Sequence, residues 1–369
     1  MSDLFGKTYS RDELRKKSGD VSQIGGTKLY QLQDGNEKGV RAIDFKTGSG
    51  FNFTVLPDRG MDISYAEYQE ASLAYISPTG TLAPSFYESQ SLGWLRGFYG
   101  GLLVTCGLTY LGAPSIDKGR ELGLHGRVSY IPAKNVWVDG EWDGDTYVMW
   151  AQGRVKEAAV FGENICLTRK IWARLGESRL FIEDVVENLA FERTPHMILY
   201  HINTGFPLLD ASAELITASQ NVRPRDENAR PGLEECFCFS DPIPGYAEQV
   251  FYHEMKTDQD GHVWVALVNR SFKNGQGLGI YVKYSKSELP NFVQWKMMGE
   301  GLYVVGLEPA NCGVEGRAKE RERGTLQFLE PGEKRYYDLE IGVLASREQI
   351  EGMEKRIRKI ASWRRSLSL

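Results

Sequence analysis

Short runs of alternating apolar and polar residues, each closed by a turn-forming dipeptide, recur along this chain and constrain it to antiparallel strands. The turn signals are Asp34-Gly35, Asp139-Gly140, Asp143-Gly144 and Asp260-Gly261. Glycine adopts the positive φ of tight hairpin turns, and aspartate can bond its own backbone there. Period-two alternation is clearest in Tyr147-Val148-Met149-Trp150, His262 to Val268, Leu278 to Tyr284 and Tyr303 to Glu308. The 40 glycines, 18 tyrosines and 16 phenylalanines suit such segments. Helical periodicity is confined to the ends. Ser10-Arg11-Asp12-Glu13 offers a capping box for a short helix over 11–17, and Ile350, Met353, Ile357 and Ile360 form one stripe of a helix starting near Ser346.

No Pro/Ser-rich linker, internal repeat or low-complexity tract divides the 369 residues. The expected fold is all-β: one large antiparallel β-sandwich with short terminal helices, whose concave face is a natural small-molecule site.

Charge and composition exclude several functions. A formal net charge of −5 leaves no basic field for a phosphate backbone, so nucleic acid is not an expected partner. No apolar run reaches the 18 residues of a membrane span, and the first thirty residues lack the apolar core of a signal peptide. The five cysteines are an odd number, and Cys236 and Cys238 lack the spacing of a metal pair, so they read as reduced thiols. A cytoplasmic protein is the expectation. Gly275 to Gly279 lacks the context of a nucleotide loop and reads as a hairpin turn, while Asp258 to Gly261 lacks the distant glutamate of a calcium loop.

Histidine is the most informative scarce residue, with five copies. His125 sits in Gly123-Leu124-His125-Gly126-Arg127, where flanking glycines let the backbone bend or approach a ligand. In His196 to Asn203, alternation puts Met197, Leu199, His201 and Asn203 on one face, just before a Thr-Gly turn. His253 alternates with Phe251 and Met255 and fits either core or site. Glu308 closes an apolar strand just ahead of Pro309, so a strand end is expected there; partial desolvation would raise its pKa into the range of a general base. In Pro57 to Ile63, Asp58 and Asp62 are placed to cap turns, and Arg59 to pair with them or to bind an anion. Arg96 lies in the glycine- and aromatic-rich run Leu95 to Leu103, which suits either a sugar ring or core packing.

Together these segments resemble the galactose mutarotase-like, or aldose 1-epimerase, superfamily. The motifs that carry the resemblance are Pro57-Asp58-Arg59-Gly60-Met61-Asp62-Ile63, Gly100 to Leu108, Leu124-His125-Gly126-Arg127, His201-Ile202-Asn203-Thr204-Gly205-Phe206-Pro207-Leu208-Leu209-Asp210 and the late Leu307-Glu308-Pro309. They are most similar to a poorly characterised branch of it. The resemblance implies a β-supersandwich over 1–369, with its core at about 25–345 and a C-terminal helix at about 346–366. It also implies interconversion of sugar anomers without metal or cofactor. By motif, His201 is expected to protonate the ring oxygen, Glu308 to take the anomeric proton and His125 to hold the ring. Asn203 and His253 are counted with them as sugar contacts.

Three differences from other members stand out. Tyr200 precedes His201 where they carry asparagine, and Tyr252-His253-Glu254 stands nearest their substrate-binding aspartate. Arg127 follows the Leu-His-Gly run; with Arg59 and Arg96 it points to an anionic sugar, a sugar acid or sugar phosphate. The expected partner is a small-molecule sugar, with no nucleic acid and no membrane; a homodimer is left open. Two other readings stand beside this one: a sugar-binding protein without catalysis on the same scaffold, and a metal-dependent epimerase using His125, His201, His253 and Glu308.

Overall fold

Two large antiparallel sheets bury one face of each against the other, in a computed structural model that describes residues 1–362. The eight-stranded sheet runs, in spatial order, Lys134–Asp143, Thr146–Ala158, Asn164–Arg174, Arg179–Asn188, Lys334–Leu344, Leu278–Ser285, His262–Asn269 and Ala213–Thr217. The six-stranded sheet runs Val104–Leu108, Met197–Gly205, Leu302–Ala310, Asn291–Gly299, Gln249–Met255 and Ser219–Pro224. A five-stranded sheet from Gly26–Gln31 to Ala71–Ser72 joins them, along with four two-stranded ribbons.

The alternation read in the sequence explains how these layers meet. In the Met197–Gly205 strand, Ile198, Tyr200 and Ile202 enter the main core with Ile171, Ile182 and Ile341 of the eight-stranded sheet. Met197 and Leu199 point the other way, into a second cluster with Val104, Cys106, Val293 and Trp94. Both faces of the six-stranded sheet are therefore buried, one as sandwich core and one beneath the loops that carry the candidate site. The same parity in the His262–Asn269 strand sends Val265 and Leu267 inward. It sends Trp264, Ala266 and Val268 outward, where Ile350, Ile357 and Ile360 of the C-terminal helix cover them.

A buried ionic network joins the three sheets. Arg169 is fully buried, with one guanidinium nitrogen 2.6 Å from Asp184 and another 2.7 Å from Asp62. Thr105 donates to Asp62 through its N–H and its hydroxyl, and the Tyr200 hydroxyl donates to Asp184. Each charge has a hydrogen-bonded partner, which burial of an ion requires. The network also anchors the strand that carries His201 through its neighbour Tyr200.

Several turn and helix expectations need correction. Asp139-Gly140 lies within the Lys134–Asp143 strand, paired with Trp150 and Met149, so it is no turn. Asp260-Gly261 links strands of two different sheets instead of closing a hairpin. Asp34-Gly35 and Asp143-Gly144 do join paired strands. The N-terminal helix is shorter than expected, Arg11–Arg15, with its capping box formed. The C-terminal helix is Arg347–Ser362; positions 363–366 of the expected helix lie outside the described residues. Short helices at Phe272–Gly275 and Arg317–Arg323 were not anticipated, because neither carries an apolar stripe long enough to register. Among the described residues no helix is long and apolar enough to cross a membrane. All five cysteines are unpaired.

Candidate active site

Strand register places two ionisable side chains together on the loop-covered face of the six-stranded sheet. Leu199 pairs with Ala310 and Ile202 with Leu307, which sets His201 across from Glu308. The ladder is interrupted between those pairs, beside Pro309, which has no N–H to donate. His201 Nε2 lies 3.2 Å from Glu308 Oε1. Glu308 is not at a strand end as expected; the Leu302–Ala310 strand continues past it, Val293 pairs with it, and it is only 3% exposed.

Space for this pair comes from Gly306, two residues before Glu308 on the same face. A Cβ there would collide with Glu308 Oε1 and lie 3.2 Å from His201 Cε1. His125 reaches the pair from a loop. Its ring is 6.0 Å from that of His201, at 88°. The His125 backbone has φ 56°, a left-handed conformation uncommon for a residue with a side chain. It is held there by bonds from His125 N to Gly112 O, Gly107 N to His125 O and Arg127 N to Gly107 O. Gly126 (φ 80°) must be glycine, since a Cβ would strike the carbonyls of Gly107 and Tyr110.

These groups floor a cavity of about 580 Å³, within the usual range of small-molecule sites. Phe98 and Trp295 pack on His201 at 5.5 and 5.4 Å, and Trp94 on His125 at 4.8 Å. One flank is apolar, with Leu92, Leu95, Pro114, Leu124 and Val314. The other is charged but internally paired. Arg225 binds Asp226 at 2.7 Å and Glu248 at 3.0 Å, Trp295 Nε1 donates to Glu248, and Arg323 makes two bonds to Glu315.

Burial dominates the electrostatics of the floor. It pushes the His201 pKa down to about 4, against an opposing upward pull from the neighbouring Asn203 side chain. Burial pushes His125 down to about 3, with His201 and Arg225 adding to the effect. Burial also raises the Glu308 carboxyl well above its usual range, helped by Glu248 and opposed by Arg225. Desolvation disfavours charge on both partners. Glu308 Oε1, His201 Nδ1, His125 Nδ1 and Trp94 Nε1 are all buried without a hydrogen-bond partner. Such a concentration of unmet polar atoms around one cavity suits a site that binds a polyhydroxylated ligand.

His125, His201 and Glu308 thus line one cavity, and the other expected contacts do not join them. Arg59 is fully buried. It donates to the carbonyls of Ser129, Leu82 and Gly97 and packs on the rings of Tyr130 and Tyr99 at 4.1 and 4.9 Å. It pairs with neither nearby aspartate: Asp58 binds Arg41, and Asp62 binds Arg169. Arg96 is exposed, 3.2 Å from Glu88, and Arg127 also lies outside the cavity lining. Asn203 is fully buried alongside His201, where a sugar in the cavity would not reach it. His253 shares its face with Phe251 and Met255 and points into the sandwich. There it meets the Ser219 hydroxyl at 2.9 Å and Gln294 Oε1 at 3.0 Å. His125, His201, His253 and Glu308 therefore do not converge as a metal site. Sequence reading missed Trp94, Trp295, Arg225, Asp226 and Glu248. The aromatic segment around Arg96 did signal the region, but Leu95 and Phe98 are its contribution to the cavity.

A family model described as a domain of unknown function, DUF4432, matches residues 37–343. Among solved structures, one titled "putative aldose 1-epimerase" from Klebsiella pneumoniae is 25% identical. The match covers 92% of this chain and 90% of that one, with a TM-score of 0.87. A galactose mutarotase-like protein from Clostridium acetobutylicum is 14% identical over 88% of this chain and 99% of that one, with a TM-score of 0.62. Galactose 1-epimerase from Lactobacillus acidophilus is 12% identical over 87% and 99%, with a TM-score of 0.57. No curated protein matches the chain. The fold is that of the galactose mutarotase-like proteins.

Proposed function

This chain belongs to the DUF4432 family, and from that premise we propose that it is a cofactor-free aldose 1-epimerase acting on an uncharged sugar. The observation that carries the reading is the His201–Glu308 pair, with Nε2 and Oε1 3.2 Å apart on the cavity floor. Anomer exchange needs one group to give a proton to the ring oxygen while another takes the proton of the anomeric hydroxyl. The ring opens to the free aldehyde, the first carbon–carbon bond rotates, and reclosure with the roles exchanged yields the other anomer. An imidazole and a carboxyl that can each give or take a proton can run this cycle in both directions. Each positioned donor or acceptor contributes on the order of 10² to 10⁴ in rate, so two suffice for a reaction that already proceeds slowly in water.

The arginines support an uncharged substrate. Arg59, Arg96 and Arg127, which pointed to an anionic sugar, stay outside the cavity, and Arg225 is already matched by Asp226 and Glu248. A carboxylate or phosphate entering the rim would have to displace one of those partners, whereas sugar hydroxyls can share them. The rings of Phe98, Trp94 and Trp295 suit the C–H face of a pyranose.

Exchange NMR on a panel of neutral aldoses and sugar acids tests the reading. Faster exchange between α and β anomeric signals of a neutral aldose, lost in His201→Ala, is the expected result. Binding without acceleration across the panel would leave a non-catalytic sugar-binding protein.

A further inference from the structure

Asn203 stands beside His201 in a geometry that gives it a task other than touching sugar. Its amide nitrogen donates to the carbonyls of Gly100 (3.3 Å) and His201 (3.0 Å), which fixes which way round the amide sits. Flipping it would aim Oδ1 at two carbonyl oxygens. Oδ1 is thereby left as a buried acceptor with no donor, while Nδ1 of His201, two residues earlier on the same strand face, is buried with no partner. The imidazole also meets the rings of Phe98, Trp295 and His125 and the bare backbone of Gly306; of these only His125 carries a nitrogen able to accept, and its ring centre is 6.0 Å away.

We infer that Asn203 is a positioning residue whose Oδ1 receives the Nδ1–H of His201, locking the neutral imidazole in the tautomer with an unprotonated Nε2. This relieves two unmet polar groups at once, the usual outcome for buried donors and acceptors. It is supported by the upward pull of Asn203 on the His201 pKa, which a bond to Oδ1 would produce. With Nδ1 protonated, Nε2 presents a lone pair toward Glu308 Oε1, 3.2 Å away, so a proton lying between them would belong to the carboxyl. The resting roles are then Glu308 as acid and His201 as base, the reverse of the assignment implied by family motif. The meaning for catalysis rests on the proposed epimerase activity; the tautomer does not.

The test is a long-range ¹H–¹⁵N correlation spectrum of the imidazole nitrogens in the full-length ¹⁵N-labelled protein at neutral pH. Only five histidines contribute, and His201→Gln assigns the relevant signals. The expected spectrum shows His201 with a protonated Nδ1 and an unprotonated Nε2. In Asn203→Ala that pattern should be lost or mixed while the signals of His196 and His253 stay in place, reporting an intact core. In Asn203→Asp it should be retained. A wild-type His201 protonated at Nε2, or a pattern unchanged in Asn203→Ala, overturns the inference. If Asn203→Ala does not fold, the wild-type spectrum still decides. In parallel, anomer exchange should fall about tenfold or more in Asn203→Ala and recover in part in Asn203→Asp. Failure of the wild-type protein to accelerate any aldose would overturn the epimerase reading and leave the tautomer result standing.

Discussion

Gly306 and Glu308 share one face of one strand so closely that a methyl group on Gly306 would collide with Glu308 Oε1. The absence of a side chain is what lets the carboxyl lie back against the sheet and meet His201 Nε2. Gly306→Ala should therefore displace the carboxyl and not the strand, because the struck atom is the end of a rotatable side chain. The expected result is a loss of anomer exchange on the order of 10-fold to 100-fold, since small misplacements of catalytic groups are costly in rate. The thermal midpoint should fall by only a few degrees. Unfolding of the variant at room temperature, or unchanged exchange, would contradict this account of Gly306.

Glu308→Gln separates activity from stability. The amide can neither release nor take up the carboxyl proton, so exchange should fall by about 10² to 10⁴. Burial raises the folded-state pKa of Glu308 above its ordinary value of 4.5. The unfolded chain thus loses this proton at lower pH than the folded one, and the wild-type protein loses stability as pH rises from about 4.5 toward the folded pKa. The variant lacks that penalty. Urea midpoints at pH 5 and pH 8 should show Glu308→Gln gaining on the wild type at the higher pH; a difference that stays flat with pH would mean the carboxyl is not desolvated.

Arg225 and Arg127 differ in what they face. Arg225 lines the cavity between Asp226 and Glu248, whereas Arg127 lies outside it. A hydrogen bond involving a charged group contributes roughly 1.5–3 kcal/mol, so Arg225→Gln should weaken binding of a neutral aldose by about tenfold or more. Arg127→Ala should leave affinity within about twofold. Titration by ligand-observed NMR measures both, and the reverse order would return Arg127 to the binding surface.

The parts of this architecture that were legible in advance follow from strand periodicity, which depends on covalent geometry alone. That is why the shared face of Met197, Leu199, His201 and Asn203 could be read, and why the stripe of Ile350, Ile357 and Ile360 marked a covering helix. Periodicity does not say which face is the interior. In the six-stranded sheet both faces are buried, so His253, aligned with Phe251 and Met255, stayed ambiguous until the opposite sheet was in view. The arginines failed for a different reason. Arg59 is satisfied by three backbone carbonyls, and backbone acceptors have no signature in a sequence. Arg225, Glu248 and Trp295 come together because the Gln249–Met255 strand pairs with Ser219–Pro224 on one side and Asn291–Gly299 on the other, long-range choices that no local pattern encodes.

His253 gives the clearest pH prediction. It is buried between Ser219 and Gln294, and burial lowers its pKa from the ordinary 6.5 to about 4. The unfolded chain therefore takes up this proton first as the solution is acidified. The contribution of a neutral His253 to stability is complete above pH 6.5, is lost as pH falls toward 4, and changes no further below that. Within the window one proton corresponds to about 1.4 kcal/mol per pH unit. His253→Gln removes the titrating group while keeping a polar side chain, so at pH 7 it should cost about 1 kcal/mol from imperfect hydrogen bonding. As pH drops from 6.5 to 4.5 the wild type should lose that advantage, and the two stability curves should cross. Urea denaturation at pH 7, 5.5 and 4.5 measures the difference directly, and parallel curves would show that His253 is protonated in the folded protein as readily as in the unfolded chain.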